Sequence, residues 1–294
     1  MAQLTTAPPS SQHTAQQSPS PPPPASQSDM ADASRQRGSL LRALRRLLGF
    51  VPALMLGLAV LIAWQLLATS GSVPQFLLPA PADVLRAFGQ AFASGLLPSY
   101  ALTTLVESLV GFALGACIAV PLGYGIARSG LIRRTMDPYV AASLAIPAVA
   151  LAPLLVLWLG YDLKPIAVLC ALIVFFPTVV TTELSVRMLD RDVLDAARID
   201  GAGWWALLRH IELPLALPGI LAGLRTSLAL SITGAVVGEF VVSDRGLGGL
   251  LTLASAEFNS ALVFATLLML ALLATTLYLL ARLIEWRVSY LEEH

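Results

Sequence analysis

The sequence predicts an all-α, polytopic membrane protein with six transmembrane helices, and three observations predict it. Of its 294 residues, 56% are apolar and 12% charged, with a mean hydropathy of +0.76; soluble domains carry about a quarter charged residues. Six apolar stretches reach the roughly 20 residues that a helix needs to cross hydrocarbon. The basic residues between them fall overwhelmingly on one side, as in cytoplasmic loops. A chain this apolar has too little polar surface to cover itself in water, which excludes a soluble enzyme. Its 18 basic and 18 acidic side chains cancel, so no net field draws a nucleic acid.

Residues 1–34 are a polar tract of Ser, Gln, Pro and Ala with a proline run at 21–24. Such a tract buries too little apolar surface to offset its ordering entropy and reads as disordered. No basic n-region or short apolar core opens it, so it does not read as a secretory signal. Residues 35–48 interleave Arg35, Arg37, Arg42, Arg45 and Arg46 with leucines, a basic amphipathic segment suited to an anionic membrane face. The transmembrane domain is expected over 49–286, with spans at 49–69, 100–127, 137–160, 164–186, 215–241 and 262–283. A short tail follows at 287–294. Between the first two spans Gly71, Pro74, Pro79 and Pro81 mark turns, and Asp83 to Phe92 reads as a short interfacial helix.

Charge sidedness orients these elements. With the N-terminus inside, the five arginines of the arm join Arg128, Arg133, Arg134, Arg187, Arg191, Arg198, Arg209, Arg282 and Arg287 on the cytoplasmic face. Arg86, Lys164 and Arg245 lie outside, and Arg225 falls within the fifth span. Both termini are therefore expected in the cytoplasm.

The single lysine excludes a nucleotide site. A phosphate-binding loop needs Lys followed by Ser or Thr after a glycine-rich turn, and Lys164 is followed by Pro165. Cys117 and Cys170 lie in apolar runs and read as small hydrophobes, not as a disulfide or metal site. His13, His210 and His294 sit in tails or a loop, so no catalytic constellation, metal site or cofactor is expected.

The loop at 190–214 differs from the others. Asp190 or Asp192 can cap a short helix, and Gly201 and Gly203 can end it in a turn. A second short helix places Trp204, Leu207, Leu208 and Ile211 on one face, and Pro214 is expected to end it. Two short helices on the basic side, with an apolar and aromatic face, suit a protein partner; Trp204 and Trp205 suit an interfacial anchor equally.

Asp195-Ala196-Ala197, then Gly201, then Ile211-x-Leu213-Pro214 resembles the EAA motif of ABC importer permeases, with Asp195 in place of the usual Glu. The resemblance extends over about 74–286. Phe76 to Leu85, Gly111 to Gly115, Pro121 to Gly125, Ile146-Pro147, Ala152 to Trp158 and Phe175 to Pro177 are similar to the nitrate/taurine/alkanesulfonate branch. Gly234 to Gly249, and Glu107, are similar instead to members for a thiamine precursor (hydroxymethylpyrimidine) or riboflavin. The resemblance implies the type I ABC importer permease fold in a bacterial inner membrane. It also implies a homodimer, two cytosolic ATPase subunits seated on the 190–214 loops, and an extracytoplasmic solute-binding protein. A membrane scaffold or receptor that docks a partner and moves nothing is the reading from another class; a membrane enzyme is a third.

Ionisable groups inside a membrane are costly and carry a functional expectation. Glu107 and Glu239 fall toward the outer half and, with Pro147, Pro153 and Trp158, are the candidates for lining a translocation path. Two carboxylates on such a path would repel an anion and favour a neutral or cationic solute. Glu183 and Arg225 read as paired or snorkelling residues. Gly111-x3-Gly115 and Gly234-x3-Gly238 read as close helix contacts.

Overall fold

The computed structural model describes residues 51–292, apart from 53, 72, 75, 243 and 244. The polar tract and the basic amphipathic segment therefore lie outside the described residues. The chain divides into residues 1–62 and 63–294, and the packing below is that of the second unit. Every regular element among the described residues is helical. The first is α1 (Leu54–Thr69), a short apolar helix. Near its end Trp64 donates to the Pro79 carbonyl at 3.1 Å and packs its ring 5.5 Å from that of Phe264. The expected interfacial helix is α2 (Pro81–Ala93), started by a proline whose missing N–H costs nothing in a first turn.

The core is made by α3 (Leu96–Arg128), α6 (Leu163–Arg187) and α9 (Leu213–Val242). Gly111, Gly115, Ala119 and Gly123 recur every four residues and form one stripe of α3 against α6. A Cβ at Gly115 would stand 2.7 Å from the Ala171 carbonyl oxygen, so the two backbones meet where side chains would hold them apart. One end of this core is covered by α10 (Gly246–Ala256), whose Leu247 and Leu250 are buried against Leu97, Ala101 and the final helix α11 (Ser260–Glu292). Helix α10 was not anticipated. Helix α11 continues to Glu292, into the segment expected as a tail.

Among the described residues, four helices are long and apolar enough to cross, against six expected spans: Leu96–Arg128, Leu163–Arg187, Trp204–Val242 and Ser260–Arg287. The expected span at 137–160 is broken into α4 (Gly130–Ala145) and, after a 3₁₀ turn at Ala148–Leu151, α5 (Ala152–Leu159). The two halves are bent by 83° and make a fifth crossing only if taken together. The break follows from Pro147, which forces Ile146 out of the helical region to ψ 121°. The expected first span is represented by the shorter α1.

A second difference concerns Pro214. It does not end the loop helix. The short α8 (Trp204–Leu207) passes through a π turn at Leu208–Glu212 directly into α9, as one helical run from Trp204 to Val242. Proline lacks an N–H and its ring crowds the carbonyl four residues back; the wider π turn relieves both.

Candidate functional site

The loop between α6 and α9 is built as the sequence implied in its first half. The Asp190 carboxylate accepts the Asp192 N–H at 2.9 Å and caps α7 (Arg191–Ile199). Gly201, at φ +87°, turns the chain out of that helix in a conformation L side chains rarely adopt. Leu194 and Leu207 are buried and hold the two short helices to the body. Asp195, Ala196, Gly201, Trp204 and Leu213 are exposed, while Ala197, Ile211 and Pro214 are half-buried. The Asp195 carboxylate meets Arg198 at 2.7 Å in a pair open to solvent, where such a pair contributes little. Trp204 and Trp205, with rings 5.8 Å apart, are both largely exposed.

At the end of this loop lies a residue the sequence did not single out. Glu212 is 2% exposed. Its Oε2 accepts from the Tyr124 hydroxyl at 2.7 Å and from Arg128 Nε at 2.8 Å, and Oε1 pairs with Arg128 Nη2. The carboxylate is thus fully engaged, in the two-pronged arrangement that suits guanidinium. A cavity of about 430 Å³ opens beside it, lined by Tyr124, Thr182, Trp204, Trp205 and Glu212 among apolar neighbours. A second, of about 290 Å³, is lined by Arg128, Arg191, Leu194, Asp195 and Arg198. The signal available in the sequence was weak: a lone acid inside an apolar run, on the face where arginines collect.

The path candidates fall into two groups. Glu107 and Glu239 are 1% and 0% exposed, where α3, α9 and α10 meet. Glu239 Oε1 accepts from Thr104 Oγ1 and Oε2 from the Gly248 N–H, each at 2.6 Å, and Thr104 Oγ1 accepts the Leu247 N–H at 2.8 Å. Glu239 thereby caps the start of α10, satisfying donors that a helix N-terminus leaves open. The Glu107 carboxyl adjoins that of Glu239, and neither of its oxygens meets a donor among the described residues. Pro147, Pro153 and Trp158 form the other group, all exposed on the broken α4–α5 segment, Trp158 by 68%. Glu183 meets Arg187 at 3.0 Å and Arg133 at 3.8 Å, and Arg225 meets Glu285 at 2.6 Å beneath the Tyr278 ring. Gly234 and Gly238 pack against Cys170 and Ile166 of α6.

The chain is similar to known proteins. The family described as binding-protein-dependent transport system inner membrane component matches residues 119–290. The chain is similar to the riboflavin transport system permease protein RibX of Chloroflexus aurantiacus, 45% identical over 81% of this chain and 88% of that one. It is also similar to the putative aliphatic sulfonates transport permease protein SsuC of Bacillus subtilis, 30% identical over 84% of this chain and 91% of that one. Among solved structures, an inward-facing MetNI methionine ABC transporter chain superposes with a TM-score of 0.60 at 20% identity, covering 67% of this chain and 97% of that one.

Proposed function

Since the chain belongs to the binding-protein-dependent transport system inner membrane component family and is a permease of an ABC importer, we propose that two copies form a translocation path driven by two separate ATPase subunits. The ATPases seat on the 190–214 loops, and an extracytoplasmic binding protein delivers the solute. The observation that carries this reading is the loop. Gly201 holds a turn between two short helices that leave Asp195, Trp204 and Trp205 facing outward. The chain's one lysine stands in no phosphate-binding loop, so ATP chemistry belongs to another chain. The arginine distribution supports a bacterial cytoplasmic membrane with both termini inside.

In this reading ATP closes the ATPase pair and draws the two loops together, and the spans between the copies open outward. The ligand state shifts the equilibrium only if the loop contacts differ between the two states. The exposed apolar segment with Pro147, Pro153 and Trp158 is the surface that the second copy and the solute share. Glu239 acts on the path from behind it, by holding α10 in place.

For the solute we infer a neutral heteroaromatic molecule of the riboflavin kind. The support is the 45% identity to RibX against 30% to SsuC. Thermal-shift measurement on the cognate binding protein decides between them. Riboflavin or a pyrimidine raising its melting temperature supports the proposal; a response to sulfonates or nitrate alone transfers the assignment to the anion branch.

A further inference from the structure

We propose that the Glu212–Arg128–Tyr124 cluster is the joint through which movement of the 190–214 loop reaches the broken α4–α5 segment, with Glu212 as a positioning residue for transport. The inference rests on the reading that this loop receives the ATPase. Glu212 closes the loop, as the last residue of the π turn. Arg128 is the last residue of α3, and Ser129 beyond it is extended at φ −115°, ψ 112°, before α4 begins at Gly130. The pair therefore ties the end of the loop to the α3–α4 corner. From that corner α4 leads to the bend at Pro147.

The tie is stiff where its surroundings are loose. Both carboxylate oxygens are engaged at 2% exposure, so parting them from Arg128 and Tyr124 leaves a charge without solvent or partner. The 430 Å³ cavity lies on the side of Trp204 and Trp205, giving the loop room to tilt while the ion pair holds. A π turn between α8 and α9 is a natural place for that tilt, because its hydrogen bonds are already shifted from the α-helical register. A displacement of the loop then pulls the α3–α4 corner with it instead of dissipating in α9.

The test uses the reconstituted full complex of permease, ATPase subunits and binding protein, with uptake, ATP turnover and retained ATPase measured on the same preparation. Glu212→Ala is expected to keep the ATPase and its turnover while uptake per ATP falls by about 5- to 150-fold, the range of coupling between linked sites. Glu212→Gln, which keeps one acceptor, and Tyr124→Phe, which removes one hydroxyl, are expected to fall between Ala and wild type. Should Glu212→Ala fail to insert, those two variants carry the test. Unchanged uptake per ATP overturns the joint. So does loss of the ATPase from all three variants, which makes Glu212 a residue for folding the loop. If the wild-type chain itself retains no ATPase, the docking reading fails instead.

Discussion

Glu239 shows what one carboxylate does in an apolar interior. It is fully buried and accepts from Thr104 and Gly248 at 2.6 Å each, and so satisfies an N–H at the start of α10 that would otherwise be orphaned. Glu239→Ala leaves the Gly248 N–H unpaired, at about 1–3 kcal/mol, while the Thr104 hydroxyl keeps the Tyr100 carbonyl at 3.3 Å. The expected outcome is faster hydrogen exchange at Gly248, whose N–H the Glu239 carboxylate accepts, with the rest of the chain unchanged. Protection equal to wild type at that amide would refute the cap. Glu107→Gln brings an N–H that the neighbouring Glu239 can accept, and is expected to preserve thermal stability. Gly115 belongs to the same scale. Gly115→Ala sets a Cβ 2.7 Å from the Ala171 carbonyl and is expected to cost about 1–3 kcal/mol, as overpacking does. Gly89→Ala, with nothing within 4 Å in an exposed helix position, should instead stabilise by roughly 0.5–1 kcal/mol. Melting temperatures of the two variants in detergent should move in opposite directions.

At the scale of elements, the loop separates folding from docking. Asp195 and Arg198 are 62% and 53% exposed, so Asp195→Arg is expected to change stability by no more than about 0.5 kcal/mol while abolishing transport. Gly201→Pro, at a φ of +87° that proline cannot reach, should break the turn and the coupling together. Co-purified ATPase, measured beside membrane insertion, tells the two apart. Much of this was legible in the sequence: the apolar stretches from residue 100 onward fall on helices, the one at 137–160 interrupted at Pro147, a residue that the sequence offers as a path candidate. Pro214 was misread as a terminator because its tolerance depends on a π turn, and a π turn leaves no mark in hydrophobic periodicity. Glu212 was passed over because its partner Arg128 lies 84 residues away, and a single sequence pairs no distant charges. Helix α10 was missed because 11 residues starting on glycine are too short and too small to announce a span.

The whole molecule is a multi-pass permease with a broadly apolar surface. Leu157 and Trp158, 78% and 68% exposed, stand on the short α5 beside a broken helix. If this face meets a second copy, Leu157→Cys in a chain lacking Cys117 and Cys170 should cross-link to itself under mild oxidation. A monomer band alone would place the interface elsewhere. In the proposed reading a loop without ATP chemistry of its own harnesses another chain's. Its most direct measurement is solute accumulation in proteoliposomes holding the permease and its ATPase, with binding protein outside. Accumulation should require ATP and binding protein together, and should vanish in inserted Asp195→Arg and Gly201→Pro chains. Accumulation without ATP, or at the wild-type rate in both variants, would contradict the account.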